Sequence, residues 1–239
     1  MADKPLYKRV LLKLSGEALM GAKGFGIDDA VVDRITADVV EAYRLGVEIG
    51  IVVGGGNIFR GVSVVAAGGD RTTGDHLGML ATVMNSLTIR AALVAKGVPA
   101  EVLTAVPMPT ICDTFTQRAA DAAFAAGKVI VFAGGTGNPF FTTDSGAALR
   151  AAEMNCDALM KGTQVDGVYS ADPKKDPTAT RFETITHQDV LAKGLAVMDA
   201  AAIALARDNR IPVIVFSVHE SGSFVDVLLG RGRATTVTP

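Results

Sequence analysis

Two lysines stand where apolar runs meet glycine: Lys13 in Val10-Leu11-Leu12-Lys13-Leu14-Ser15-Gly16, and Lys161 in Ala158-Leu159-Met160-Lys161-Gly162-Thr163. An ammonium group in such a run costs free energy unless it lies at the end of the element or is paired. At the carboxyl edge of a parallel sheet a lysine is placed to meet a ligand. Taken alone, Lys13 reads equally well as a strand-end side chain snorkelling to water. A third junction is richer. Val129-Ile130-Val131-Phe132-Ala133 runs into Gly134-Gly135-Thr136-Gly137-Asn138-Pro139 and then Phe140-Phe141-Thr142-Thr143-Asp144. Its glycines allow positive φ and close approach of a ligand to the backbone. Thr142 or Thr143 caps the helix that follows, with Asp144 in its first turn. Strand, glycine loop and capped helix present N–H groups to an anion; a tight turn with no ligand is the alternative. A fourth junction, Gly54-Gly55-Gly56-Asn57-Ile58-Phe59-Arg60-Gly61, adds in Arg60 a guanidinium suited to phosphate. Lysines, an arginine, a carboxylate and glycine loops together suit phosphoryl transfer, where positioning and charge neutralisation supply most of the catalysis.

The elements that must hold these residues alternate along the chain. Strands are expected at Lys8–Leu14, Val47–Val53, Ala100–Thr104, Val129–Ala133, Ala158–Thr163, Ile211–Phe216 and Thr235–Val237. Between them helical spacing predicts helices from Asp28 to about Leu45, from Gly74-Asp75-His76 to about Lys96 and from about Thr116 to Ala126. One follows Thr142-Thr143, and shorter ones are expected near Gln188–Lys193, Asp199–Asn209 and Ser223–Leu229. Gln164-Val165-Asp166-Gly167-Val168-Tyr169 is expected to be a small hairpin, because Asp-Gly favours a type I′ turn. Strand–helix alternation predicts an α/β protein: a three-layer αβα sandwich around a mostly parallel central sheet. Several glycine-bearing strand ends at one sheet edge then make a site for a highly anionic ligand.

At 239 residues, 49% hydrophobic and 20% charged, the chain can bury a large core, as one domain or two small ones. A net charge of -2 gives no global electrostatic case for nucleic acid. Cys112 and Cys156 are too far apart in sequence for a CxxC metal site, and His76, His187 and His219 lack ligand spacing. The first residues carry no signal h-region and no run of 18 apolar residues occurs, so a cytoplasmic protein outside the membrane is expected. There is no repeat, low-complexity tract or linker. The P-loop pattern fails because Gly127-Lys128 is followed by Val129, the dinucleotide fingerprint fails at Phe59, and no G-x-S-x-G occurs.

The residues that remain resemble the amino acid kinase family and, within it, the bacterial branch that phosphorylates UMP. The similarity runs over nearly the whole chain. It is carried by Lys13-Leu14-Ser15-Gly16-Glu17, by Gly54–Gly61, by Gly74-Asp75-His76-Leu77-Gly78-Met79-Leu80, by Thr136–Asp144 and by Val165-Asp166-Gly167-Val168-Tyr169-Ser170-Ala171-Asp172-Pro173. The Gly-Asn-Pro-Phe-Phe-Thr-Thr-Asp run separates that branch from the carbamate, glutamate and aspartate kinases. The resemblance implies reversible, direct in-line transfer of the ATP γ-phosphate to UMP, with Mg²⁺ held through nucleotide phosphates and no protein metal site. It implies Lys13 and Lys161 as the groups that neutralise the phosphoryl, with Asp144 and Asp199 orienting those lysines and the metal-bound phosphates. Lys13, Leu14, Ser15, Gly16, Gly56, Arg60, Thr163, Tyr169 and Asp172 would line the ATP site. Gly55, Asp75, Thr136, Gly137, Asn138, Pro139, Phe140, Phe141, Thr142 and Thr143 would hold UMP, with Asp75 accepting from the ribose hydroxyls. About residues 1–150 would form the acceptor lobe and about 151–239 the ATP lobe. The resemblance further implies a homohexamer activated by GTP and inhibited by UTP. Gly21, Ala22, Lys23, Gly24, Phe25, Gly26 and Arg90 match the region tied to GTP control. A non-catalytic nucleotide-binding or storage protein of the same fold is the alternative; it predicts loss of the charged set, yet Lys13, Asp144, Lys161 and Asp199 are all present.

The helix near Asp75 carries a second expectation. From Leu77 to Ala95 its only charged residue is Arg90. Leu77, Leu80, Val83, Met84, Leu87 and Val94 are read as the face against the sheet, and Gly78, Thr82, Asn85, Ile89 and Leu93 as a face covered by another subunit or, alternatively, by another segment of the same chain.

Overall fold

The structure, a computed structural model, describes residues 4–59, 68–173 and 175–239; Arg60 lies outside the described residues. Its centre is a short leucine- and valine-rich strand, β1 (Arg9–Leu14), with parallel neighbours on both sides: β2 (Glu48–Val53) and β6 (Ala158–Thr163). Beyond β2 lie β5 (Val129–Ala133), β3 (Ala100–Thr104) and β4 (Asp113–Thr114). Beyond β6 lie β8 (Val213–Ser217), β9 (Ala234–Thr238) and β7 (Thr184–Thr186). Neighbours run parallel everywhere except between β8 and β9. Successive side chains of a strand face opposite sides of the sheet. Val10, Leu12 and Leu14 accordingly join one apolar cluster and Leu11 the other. Lys13 shares the side of Leu11.

Helices cover both faces. α1 (Asp29–Arg44), α2 (Arg71–Ala95) and α7 (Ser223–Leu228) lie over the first cluster. α3 (Gln117–Ala125), α4 (Thr143–Glu153), α5 (His187–Ala192) and α6 (Ala200–Asp208) lie over the second. Each of the first six starts on a side-chain cap, which satisfies N–H groups that a helix start leaves open. The caps are Asp28, Asp70, Thr116, Thr142, Thr186 and Asp199. The expected strands and helices are therefore present, joined by short β4 and β7 and by a 3₁₀ turn at Gly16–Leu19, which the sequence reading missed.

Three expectations need correction. α2 begins at Arg71, capped by Asp70, not at Gly74–Asp75. Its faces are also reversed. Leu77, Leu80, Met84 and Val94 are exposed, whereas Thr82, Asn85, Ile89 and Leu93 are buried; of the residues assigned to the sheet face only Val83 is fully covered. Apolarity alone chose the wrong side because part of the surface beneath α2 is glycine loops whose backbone groups need polar partners, while Val83, Ile89 and Leu93 reach the apolar cluster. The hydroxyls tolerate this burial by bonding back along the helix, Thr82 to Met79 O at 2.6 Å and Ser86 to Thr82 O at 2.7 Å. Among the described residues α2 is the one helix long and apolar enough to cross a membrane, at 25 residues and hydropathy 1.5, but this polar row is packed on the sheet.

The third correction is the Gln164–Tyr169 hairpin, which does not form. Neither Asp166 nor Gly167 has the positive φ that a type I′ turn requires. The segment finds distant partners instead: Val168 N donates to Thr235 Oγ1 at 2.8 Å, and Tyr169 bridges Arg181. A Cβ at position 167 would lie 2.4 Å from Thr235 Oγ1, so glycine is needed there for close approach, not for a turn.

Candidate active site

Parallel register sets Lys13 directly opposite Lys161 on the adjoining strand. Two neighbouring ammonium groups repel and need a counter-charge. Asp144, in the first turn of α4, supplies it: Lys13 Nζ lies 2.5 Å from Oδ1 and Lys161 Nζ 2.8 Å from Oδ2. Lys161 also donates to Val197 O. All three side chains are largely buried. Burial is the largest influence on the Asp144 carboxyl and pushes its pKa up, yet the two lysines together outweigh it and hold it below the usual carboxylate range. Burial likewise pushes Lys161 down; Asp144 opposes this and Lys13 adds to it. The result is a buried group of two cations and one anion, incomplete until a further negative charge arrives.

Asp199 stands one step back. It caps α6 through Ala202 N at 2.9 Å, and its carboxylate accepts from the Thr142 hydroxyl and from Ser145 Oγ at 2.9 and 3.1 Å. It makes no ion pair with either lysine, but its charge favours the charged form of Lys161. It anchors the N-terminus of α4, the element that carries Asp144. Ser145, almost fully buried, is a contributor that the sequence reading missed. Only the fold brings it to Asp199.

A cavity of about 530 Å³ opens on one side of this group, between the loops after β2 and β5 and the starts of α2 and α4. Gly55, Asp75, Thr136, Phe141, Thr142 and Thr143 line it as expected, and Gly56, expected at the ATP site, lines this cavity instead. Gly137, Asn138, Pro139 and Phe140 do not line it. Gly135, with φ +57° and open space where a Cβ would stand, lines it too, as does Thr82. The N–H groups of Gly135 and Thr136 have no backbone acceptor among the described residues, which leaves them for an anion. Asp75 accepts from Arg71 Nε at 2.9 Å and from Phe140 N at 2.8 Å, and Phe140 itself holds φ 72°. A non-glycine residue at that φ stores strain.

A second cavity, about 580 Å³, opens on the other side; of the residues assigned to the ATP site Thr163, Tyr169 and Asp172 line it, and so does Lys161. Lys193 and the Gly194–Val197 segment also line it, and the sequence offered no motif that marks them. Lys13, Leu14, Ser15 and Gly16 are not in its wall. The Leu14 side chain is in the core, and Ser15 caps the 3₁₀ turn. Gly16 lies so close to the β2 loop that a Cβ would be 2.6 Å from Gly54 O. Of the residues assigned to effector control, Gly26 N donates to Asn57 O at 2.8 Å near the carboxyl edge of the sheet. Arg90 Nε donates to Ala100 O at 3.3 Å, where β3 begins, so the structure does not bring these two together within one chain.

A lysine pair sharing one carboxylate at the carboxyl edge of a parallel sheet, with Lys161 in the wall of one cavity and Thr143, next to Asp144, in the wall of the other, suits a phosphoryl-transfer enzyme. The chain belongs to the amino acid kinase family, whose sequence pattern matches residues 8–217. It is 67% identical over 237 residues to the uridylate kinase of Mesorhizobium japonicum, covering 99% of each chain. It is 66% identical over 238 residues to that of Brucella abortus, covering 100% of this chain and 99% of the relative. Among solved structures it superposes on the UMP kinase of Bacillus anthracis with a TM-score of 0.93 at 37% identity, covering 97% of this chain and 96% of that one. With the UMP kinase of Ureaplasma parvum the TM-score is 0.93 at 34% identity, covering 100% of both.

Proposed function

We propose that the 530 Å³ cavity receives UMP and the 580 Å³ cavity receives ATP, so that acceptor and donor phosphates meet over Lys13 and Lys161. The activity is transfer of the ATP γ-phosphate to UMP, giving UDP and ADP. The observation that carries the assignment is the single carboxylate, Asp144, joined to two lysines between the two cavities. A UMP phosphate oxygen attacks the γ-phosphorus in line, and the bond to the β,γ-bridging oxygen breaks, its electron pair leaving with ADP. The attacking oxygen is already deprotonated at neutral pH, so no general base is needed. Asp144, held ionised by its lysines, positions them and moves no proton. The lysines neutralise charge on the phosphoryl group as it passes. The first cavity is lined by residues 55–143 and the second by residues 161–215, which supports an acceptor lobe of about 1–150 and a donor lobe of about 151–239.

The donor set fits Mg²⁺ carried by the nucleotide. Both oxygens of Asp144 face lysines and those of Asp199 face hydroxyls, and among the described residues no three His, Cys, Asp or Glu side chains form a metal cluster. A Mg²⁺ that keeps several waters and rides on phosphates suits such a site, and when bound it neutralises phosphate charge. The homohexamer, activation by GTP through Gly21–Gly26 and Arg90, inhibition by UTP, and a cytoplasmic location complete the reading. An effector site using both Gly26 and Arg90 would take them from different subunits.

ADP release measured across UMP, CMP, dTMP and small carboxylates tests the acceptor. UMP should be used and CMP hardly at all, since a site whose buried polar groups match one base leaves them unpaired with another. Comparable turnover of CMP would overturn the assignment. Run with UMP below saturation, the same assay should show GTP raising the rate and UTP lowering it.

A further inference from the structure

Both glycine loops of the first cavity hang from one face of α2. Thr82 and Asn85, one helical turn apart, share that face. Thr82 Oγ1 accepts from Gly134 N at 2.8 Å while donating to Met79 O at 2.6 Å. Asn85 Nδ2 donates to Gly54 O and to Asn57 Oδ1, each at 2.7 Å, and Asn85 Oδ1 accepts from Asn57 Nδ2 at 3.0 Å. Asn57 Nδ2 donates in turn to Gly26 O at 2.9 Å. Thr82, Asn85 and Asn57 are 3%, 0% and 1% exposed, so no water competes for these bonds. The loops are seated as closely as atoms allow: a Cβ at Gly55 would stand 2.7 Å from Gly78 O and 2.8 Å from Ala81 Cβ.

We propose that Thr82 and Asn85 are positioning residues for the acceptor, setting the separation of the Gly54–Asn57 and Gly134–Thr136 loops whose residues form opposite parts of one cavity wall. Asn85 is outside the cavity wall and acts on the ligand only through the loops; Thr82 lines the cavity, but its hydroxyl is used up between Gly134 N and Met79 O, so that its polar group too acts through the loop. The chemistry is specific. Gly54 O is an acceptor, so Asn85 must turn its amide nitrogen towards it, and a carboxylate there would repel it. Gly134 N is a buried donor, so position 82 needs an oxygen. This is why a threonine and an asparagine interrupt an apolar helix on its covered side.

The inference rests on the assignment of this cavity to UMP, and the test separates the two. Thr82→Val keeps the side-chain shape and removes the hydroxyl; Thr82→Ser keeps the hydroxyl and removes a methyl. Thr82→Val should raise the KM for UMP roughly tenfold, the scale of one buried hydrogen bond lost. The KM for ATP should stay close to wild type, and Thr82→Ser should restore the KM for UMP. Should Thr82→Val not fold, Thr82→Ala removes the same oxygen and should shift the KM for UMP in the same direction, by less if water enters. Lower thermal stability with both KM values unchanged would make the hydroxyl merely structural and overturn the inference. A rise in the KM for ATP alone would instead overturn the assignment of the cavity to UMP.

Discussion

Lys13 and Lys161 occupy positions that stability alone would not select. Two buried ammonium groups on adjacent strands share one carboxylate, and the unbalanced charge is the kind of local conflict that folds keep at functional sites. Replacing either lysine by alanine leaves a neutral pair behind and should not unfold the protein. Turnover should fall by roughly 10²–10³-fold for each, the scale for one transition-state charge contact. Steady-state rates beside thermal melts decide it: near wild-type turnover in both variants would remove the lysines from the mechanism. His187, far simpler in role, predicts a pH dependence of stability. It is fully buried, and neither ring nitrogen has a partner of good hydrogen-bond geometry. Burial pushes its pKa below the ordinary 6.5, Thr238 and Ile211 backbone groups partly offset this, and Arg207 adds to it. The folded state therefore takes up its proton at lower pH than the unfolded chain. The contribution is fully present above 6.5 and is lost as pH falls through that value towards the folded pKa. Urea midpoints should drop between about pH 7.5 and about pH 5.5, and His187→Leu should show a smaller drop. Equal drops in the two proteins would locate the effect elsewhere.

At the scale of elements α2 has two working faces. Its covered face holds the glycine loops, and its other face exposes Leu77, Leu80, Met84 and Val94 along one stripe. An apolar stripe without charges, on a helix already packed on its other side, is the surface we assign to a second copy of the chain. Leu80→Glu and Met84→Glu should weaken association by placing an unpaired charge in that contact. Ile89→Glu would report on folding instead, because Ile89 is only 1% exposed. Sedimentation velocity at micromolar concentration reads the outcome. A wild-type species at 24.7 kDa would end the oligomer assignment, and undisturbed assembly of both variants would move the contact off α2. α4 has a comparable double duty. Its cap, Thr142, and its buried Ser145 are held by Asp199 from the start of α6, so the helix that presents Asp144 is tied across the two halves of the sheet.

For the molecule as a whole, strand order explains why a transfer site lies where it does. β1 leads outwards to β2 on one side and is later joined by β6 on the other, so the central strand meets both halves of the chain. The cavities proposed for acceptor and donor then open on either side of the Lys13–Asp144–Lys161 group. The regulation by nucleotides that we propose would have a route in this layout. The Gly21–Gly26 loop is bonded to Asn57, and through Asn57 to Asn85 and the Gly54 carbonyl, so a change in that loop has a hydrogen-bonded route to the cavity wall.

What the sequence determined by itself is local chemistry. β-branched runs ending in glycine locate the strands and their functional edge; Asp28, Thr116 and Thr142 mark helix starts; the segments around Lys13, Gly54, Thr136 and Asp172 identify the family. These signals need only neighbours along the chain. The tertiary structure decided what depends on partners distant in sequence. It turned the Thr82 and Asn85 side of α2 inwards because glycine loops that need polar partners lie beneath those two residues. It replaced a local Asp-Gly hairpin by a close approach to Thr235. It bonded Asp199 to the hydroxyls of Thr142 and Ser145. In each case a buried polar group had to find its hydrogen-bond partner, and periodicity along the chain carries no information about where that partner stands.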